Sequence, residues 1–124
     1  MHELSLCRAV VGVVDRSRGG RAVSRVQLRV GQLRQVVPET LLYCWELVTA
    51  ETPLAGARLE IDHVPVRLRC RSCGADTVVT HALVLVCESC GSGAVDVVAG
   101  EEFLVTTVHF DPLTAPAPSR SEEN

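Results

Sequence analysis

The 124-residue sequence predicts an α+β fold, in which a small mixed sheet with two helices carries an inserted ribbon lobe. Three observations lead to this prediction. Apolar residues in positions 1–64 switch between the helical spacing of three to four and the strand spacing of two. Short β-prone segments then surround two Cys-x-x-Cys pairs between positions 70 and 90. A β-branched and aromatic run over residues 101–110 supplies a final strand, which we expect to return to the first sheet.

The first thirty residues are predicted to form a helix followed by a strand. The helix covers residues 3–18 and stops at Gly19 and Gly20. Strict alternation of apolar and polar residues from 24 to 30 is typical of a strand with one buried face. The apolar stripe of the helix is Leu4, Cys7, Val11 and Val14, widened by Val10 and Val13, and the buried face of the strand is Val26, Leu28 and Val30.

A second helix and a second strand follow. Pro38 is suited to a first helical turn, and Glu39 lies beside it at the positive end of the helix dipole. Alternation over residues 57–64 predicts the strand, and the strand–helix–strand order indicates a crossover unit with a right-handed connection. We interpret Pro65 as a hinge between this unit and the ribbon. The helix is predicted to end near Ala50, with an apolar face of Leu41, Leu42, Trp45 and Val48.

The cysteine pairs give the strongest signal for a metal site. Each pair can wrap around one ion in a tight turn, and the glycine that follows it supports a positive φ. Four thiolates in a closed tetrahedral shell suit Zn²⁺ held for structure. Zinc would also help to fold a small lobe with little apolar bulk. The predicted ligands are Cys70, Cys73, Cys87 and Cys90, and the predicted strands around them are residues 77–79, 83–86 and 95–98.

Two other interpretations of the cysteines stay open. Paired disulfides are one, although a Cys70–Cys73 bridge would close a very short loop and no signal peptide marks the chain as secreted. A single iron in a redox knuckle is the other, although such sites usually lie among aromatic residues and none occurs between Cys70 and Cys90. Cys7 and Cys44 are expected to be small buried hydrophobic residues.

Composition and charge narrow the class of protein. The longest apolar runs are far shorter than a membrane span, and the cysteine usage fits a reducing cytoplasm, where we expect the protein to act. All 12 basic residues are arginine, and seven of them lie in residues 1–34 against two acidic residues. This basic segment fits either a solvated strand face or a surface that docks an acidic partner.

The first three residues, Met1, His2 and Glu3, offer a second metal site. A free α-amine, the deprotonated amide nitrogen of His2 and its imidazole can hold one metal in a plane. The amide nitrogen or the carboxylate of Glu3 can supply a fourth donor. A planar set of nitrogens favours Ni²⁺ or Cu²⁺ over Zn²⁺. This site requires an unmodified and exposed N-terminus, and a plain surface histidine is the alternative.

The order of these motifs resembles the HypA/HybF family, the nickel metallochaperones of [NiFe] hydrogenase maturation. The resemblance covers Met1 to about Asp111 and implies nickel binding through His2 and the neighbouring N-terminal nitrogens, with structural zinc on the four cysteines. It also implies two partners, a nickel-handling GTPase and the hydrogenase large subunit, and some members serve urease. The motifs that carry it are Met1-His2-Glu3, Val30-Gly31, Val37-Pro38-Glu39, Gly56-Ala57, Leu59 to Ile61 and the cysteine pairs; Glu88 stands where members often carry proline.

This resemblance and the motif order together predict the domain organisation. Residues 1–64 form a nickel-binding lobe, which the strand at 101–111 completes. Residues 65–100 form a zinc-ribbon lobe inserted between them. Pro, Ala, Ser and Glu dominate residues 112–124, which we expect to be a disordered tail.

Other classes of function fit the sequence less well. A zinc-ribbon module for nucleic acid or for protein interaction is the main alternative, but the ribbon is not notably basic and has no aromatic residue to stack on bases. An enzyme is not expected, because no nucleophile elbow, phosphate loop or carboxylate pair occurs and a four-cysteine zinc has no open position. We expect His63 at a strand edge or in the core, His81 in a surface loop and His109 on a strand surface.

Overall fold

A computed structural model describes residues 2–80 and 82–111 of the chain. Within these residues it contains two α-helices, a short 3₁₀ helix and six strands, and the predicted α+β fold is confirmed. The helices are α1 (His2–Ser17) and α2 (Pro38–Thr49), with the 3₁₀ helix at Gln32–Arg34, and the strands are β1 (Val23–Gly31), β2 (Arg58–Val64), β3 (Arg67–Cys70), β4 (Asp76–Val78), β5 (Val95–Ala99) and β6 (Phe103–Phe110).

The first sheet is mixed and has the strand order β2-β1-β6. β1 pairs in parallel with β2 and antiparallel with β6, so the predicted crossover through α2 is present. The register places Leu28 between Ile61 and Val105. Every second residue of β1 faces the core, as the strand period predicts. Val26, Leu28 and Val30 are at most 1% exposed.

Both helices share a core with this apolar face. Trp45 is buried, and its indole Nε1 donates a hydrogen bond to the Ala57 carbonyl at 2.8 Å, which ties α2 to the start of β2. Cys7 and Cys44 are buried here, as expected. The prediction for Leu42 is wrong: its side chain is 41% exposed, because Leu41, Cys44 and Trp45 define the inward face of α2.

The ribbon has its own three-stranded antiparallel sheet, in the order β4-β3-β5. Its hydrophobic cluster is small and aliphatic. The predicted strand at 83–86 does not form: the amide of Val84 bonds to the Ala82 carbonyl in a tight turn, and the segment pairs with no strand of the described part of the chain. Leu83 packs against the small core, whose buried members are Val66, Leu68 and Val79.

β6 returns to the first sheet after the ribbon, and the crossing point is tightly packed. The amide of Gly31 donates to the backbone carbonyl of Glu102 at 2.7 Å, and the amide of Leu33 donates to the backbone carbonyl of Gly100 at 2.8 Å. A Cβ on Gly31 would lie 2.1 Å from the Gly100 carbonyl oxygen, so only glycine fits. Val66, which follows the predicted hinge, is fully buried and donates its amide to Gln32 Oε1 at 2.9 Å.

Some predictions on domain organisation stay untested. The lobe boundaries at 1–64 with 101–111 and at 65–100, and the hinge at Pro65, stay predictions. The predicted disordered tail, residues 112–124, lies outside the described residues, as does His81. Within the described part of the chain, no helix is long and apolar enough to cross a membrane.

Candidate metal centre

Two turns with the same backbone pattern bring the four ribbon cysteines together. In each turn the amide of the first cysteine donates to the carbonyl five residues later, at 2.9 Å. The glycine that follows the second cysteine donates back to the carbonyl of the first, at 3.0 Å for Gly74 and 2.7 Å for Gly91. Their φ values of 78° and 76° are in the left-handed region, which glycine adopts at little cost. The predicted knuckle geometry is confirmed.

The four sulfur atoms all lie within 4.8 Å of one another. The closest pairs cross between the turns, since Cys70 Sγ lies 3.6 Å from Cys90 Sγ and Cys73 Sγ lies 3.6 Å from Cys87 Sγ. Tetrahedral bonds of about 2.3 Å to one zinc ion place sulfurs about 3.8 Å apart, so this spacing fits a single ion. All six cysteines of the chain are free, which contradicts the paired-disulfide alternative.

Backbone N–H groups surround the two inner sulfurs, those of Cys70 and Cys87. The amides of Ser72 and Cys73 lie 3.3 and 3.4 Å from Cys70 Sγ. Hydrogen bonding from the Cys73 amide lowers the pKa of Cys70, and the Cys90 amide lowers the pKa of Cys87 to about 6. These donors stabilise the thiolate, which is the form that binds a metal.

The two outer sulfurs, those of Cys73 and Cys90, are exposed. The Ala75 amide acts to lower the pKa of Cys73, but the bond to the Cys87 sulfur and partial desolvation of the thiol outweigh it and raise that pKa to about 12. The Ser92 amide acts to lower the pKa of Cys90, but the bond to the Cys70 sulfur and desolvation raise it. A divalent cation at the centre would favour the thiolate form of all four cysteines. The donor set fits such a cation.

The N-terminal site begins on the first turn of α1. The His2 side chain is 53% exposed, and its Nε2 atom lies 3.3 Å from Glu3 Oε2. Glu3, in contrast, is only 7% exposed. Its carboxylate accepts a hydrogen bond from the Val37 amide at 3.2 Å, and this bond is the main cause of the lowered pKa of Glu3. Met1, the third predicted ligand residue, lies outside the described residues.

The contact between Glu3 and Val37 was missed by sequence reasoning. Val37 is the N-cap residue of α2, so Glu3 ties the start of one helix to the start of the other. A signal was present in the spacing, because Glu3 lies four residues before Cys7 on the same side of the helix. The buried stripe of α1 consists of Glu3, Cys7, Val10 and Val14, whereas Val13 of the predicted stripe is 43% exposed.

Comparison with known families decides the class of this protein. A family model described as "Hydrogenase/urease nickel incorporation, metallochaperone, hypA" matches residues 1–110. The chain belongs to the HypA family. This result agrees with the resemblance noted in the sequence.

Individual HypA proteins are similar over nearly their whole length. The hydrogenase maturation factor HypA of Geobacter metallireducens is 43% identical over 111 residues, which cover 90% of this chain and 100% of that protein. The HypA of Desulfosudis oleivorans is 37% identical over 114 residues, which cover 89% of this chain and 98% of that protein. The fold is similar to the solution structure of the Ni metallochaperone HypA from Helicobacter pylori, with a TM-score of 0.61 at 20% identity over 87% of this chain and 96% of that chain.

Among the described residues of this HypA-family chain, His63 and His109 lie on strands of the first sheet and do not belong to the four-cysteine group. His63 is exposed on the edge strand β2, so the edge part of its prediction is right and the core part is wrong. His109 is half-buried on β6, where both ring nitrogens lie within 3.2 Å of one Arg25 guanidinium nitrogen. The only group of three or more potential metal ligands among the described residues is the cysteine quartet.

Proposed function

We propose that this protein carries Ni²⁺ for the maturation of [NiFe] hydrogenase or of urease, as a carrier and not as an enzyme. The HypA family match over residues 1–110 is the observation that carries the proposal. Two metal sites have separate roles in it. The cysteine quartet holds a resident ion, and the N-terminus holds the cargo.

The proposed nickel ligands are the α-amine of Met1, the amide nitrogen and imidazole of His2, and a donor from Glu3. The exposure of His2 supports this set, because an incoming ion can reach the ring. The first amides of a helix have no backbone acceptor within the helix, so the nitrogens of His2 and Glu3 are not held by the α1 ladder. A planar all-nitrogen set favours Ni²⁺ over Zn²⁺.

Glu3 has a more specific role in this proposal. Its carboxylate already accepts a bond from the Val37 amide and lies beside His2 Nε2, so the amide nitrogen of Glu3 is the better candidate for the fourth donor. If Nε2 donates to the carboxylate, the Nδ1 lone pair of His2 is free for the ion. Carboxylates that orient a ligating imidazole in this way commonly raise its basicity.

The resident ion on Cys70, Cys73, Cys87 and Cys90 is proposed to be structural Zn²⁺. The sulfur spacing and the amide donors support it, and the neighbouring core is aliphatic, unlike the aromatic surroundings usual for a single redox iron. Zinc supplies folding energy to such a lobe and leaves no open position for substrate. The four cysteines then hold the ribbon in one conformation.

Delivery is proposed to occur by ligand exchange, in which one N-terminal nitrogen leaves the ion as a donor of the partner arrives. The proposed partners are a nickel-handling GTPase and the hydrogenase large subunit, or urease maturation proteins where urease is the target. Six free cysteines support action in a reducing cytoplasm.

The direct test is a calorimetric Ni²⁺ titration of protein that begins at Met1 without a tag. His2→Ala should abolish the N-terminal binding event, because it removes one chelating nitrogen and the ring that Glu3 orients. His63→Ala is the matched control, since His63 is also exposed but lies on β2. Equal nickel affinity in His2→Ala and in the control would refute the proposed site.

A further inference from the structure

The outward face of α2 exposes large apolar side chains. Tyr43 is 64% exposed, Leu47 is 56% exposed and Leu42 is 41% exposed, whereas Trp45 on the same helix is 2% exposed. Tyr43 and Leu47 are four residues apart and therefore adjacent on the helix surface. Leu42 lies on the other side of Glu46, so the three apolar side chains form a patch that a glutamate divides. Single apolar residues scattered on a surface need no explanation, but three on one short helix do.

A groove runs along each side of this patch. One groove, of about 460 Å³, lies between α2 and the start of β2, with Leu42 at its rim and Trp45 at its base. The other, of about 470 Å³, lies between α2 and α1, with Leu47 on one side and Leu4 on the other. A ridge between two grooves is the surface onto which another helix packs, because side-chain rows of one helix fill the grooves of its neighbour.

The charge of this face is acidic. Glu39, Glu46 and Glu51 are all exposed on or just after α2, and the helix contains no basic residue. The ion pairs among the described residues use other carboxylates. Arg8 and Arg58 lie across the two grooves, at the borders of the patch. A complementary surface therefore combines apolar side chains that meet Leu42, Tyr43 and Leu47 with basic side chains opposite the three glutamates.

The patch also lies close to the proposed nickel ligands. α2 begins at Pro38, directly after Val37, whose amide binds the Glu3 carboxylate. Leu4, the next residue after Glu3, lines one of the two grooves. A helix seated along α2 would therefore end beside the first turn of α1.

We propose that the outward face of α2, formed by Leu42, Tyr43 and Leu47 with the three glutamates, docks an amphipathic basic helix of a partner protein. Tyrosine is among the residues that most often dominate such interfaces. The mode is that of an amphipathic helix whose apolar residues enter grooves at helical spacing. Docking of the helix does not require bound nickel. Only the use of this docking in metal transfer rests on the proposed function.

The test uses a synthetic peptide probe with leucines at helical spacing and arginines beside them. Amide NMR of the full chain should show shifts concentrated on α2 and its two grooves. The double variant Tyr43→Ala/Leu47→Ala should bind the probe about tenfold more weakly, as expected for loss of central anchors. A charge-reversed peptide with glutamates in place of the arginines should also bind about tenfold more weakly than the probe.

The matched control is Val13→Ala/Leu104→Ala, which removes two apolar side chains of similar exposure from a different groove. It should bind the probe as the unmodified protein does. The proposal is overturned if the α2 variant binds unchanged, if the shifts fall on the Val13 groove, or if sedimentation shows that the α2 face joins two copies of this chain. Nickel titration of the α2 variant separates the two hypotheses, since its nickel affinity should be unchanged whatever the peptide does.

Discussion

The core of the first sheet and the core of the ribbon differ greatly in size. The first core combines residues from α1, α2, β1, β2 and the connection between α2 and β2, including the fully buried Leu28 and Leu54. Among the described residues, the hydrophobic cluster of the ribbon has three buried members, Val66, Leu68 and Val79. A small aliphatic core contributes little free energy of folding, so we expect the folding of the ribbon to depend on a bound metal more than the folding of the helices and the first sheet does.

The cysteines of the two regions differ in the same way. Cys7 is buried between the helices, and its thiol lies 3.4 Å from the Leu41 carbonyl, to which it can donate. Burial raises the pKa of Cys7 to about 11, so it stays a thiol. In the ribbon, amides lower the pKa of Cys87 to about 6. One environment keeps sulfur neutral for packing, and the other prepares it for a cation.

The largest expected effect comes from removing one ribbon sulfur. Cys87→Ser should lose the bound zinc and the dispersed amide NMR signals of residues 66–99, because the remaining core is too small to fold alone. Signals from α1 and β1 should persist, since their core is separate. Elemental analysis with two-dimensional NMR measures both. Ser89→Ala, an exposed change in the same turn, is the control; equal loss of zinc in both variants would contradict the metal assignment.

A smaller effect is expected at the crossing point between the two sheets. Gly31→Ala should lower the free energy of unfolding by about 3 kcal/mol. The new Cβ would lie 2.1 Å from the Gly100 backbone and would push the end of β1 away from the connection between β5 and β6. Urea unfolding measures the change.

Gly12→Ala is the matched control for Gly31→Ala. Gly12 lies inside α1, and an added Cβ would meet only the flexible end of Arg16 at 3.3 Å. The free energy of unfolding should therefore rise by about 0.5–1 kcal/mol, because alanine loses less conformational entropy than glycine in a helix. Equal destabilisation by both substitutions would show that the crossing point is not tightly packed.

The smallest effect concerns pH and the buried thiol. A raised pKa means that folded Cys7 keeps its proton at a pH where the unfolded chain has lost it, so the folded state loses stability as pH rises from about 9 to 11. Between these limits, wild type should lose about 1 kcal/mol more than Cys7→Ala does. Chemical unfolding at a series of pH values measures this, and identical slopes would argue that Cys7 is not buried as described.

Much of this fold could be predicted because local pattern and tertiary contacts agree. The alternation in β1 matches its burial residue by residue, and the glycine after each cysteine pair takes the expected positive φ. The strand predicted at Leu83–Val86 was wrong, because β propensity reflects a fit to neighbouring strands. No strand within residues 2–80 and 82–111 pairs with this segment. Leu42 failed because an apolar helix such as α2 does not reveal from sequence which side faces the core.

The candidate sites divide along the same line. The cysteine quartet was predictable because four ligands of one type, at fixed spacing, determine the geometry among themselves. The contact of Glu3 with α2 was not predictable, because its carboxylate accepts a hydrogen bond from an amide 34 residues away in the sequence. Contacts of this length follow from how the helices pack, which spacing within one helix does not specify.

The central claim is that cargo binds at a free N-terminus while the ribbon keeps its own ion. The most direct measurement compares Ni²⁺ uptake by untagged protein with uptake by the same protein acetylated at Met1. We predict that acetylation abolishes nickel binding and leaves the zinc content unchanged, because only the α-amine donor is lost. Equal nickel affinity in both samples, or nickel that displaces zinc from the cysteines, would contradict the claim.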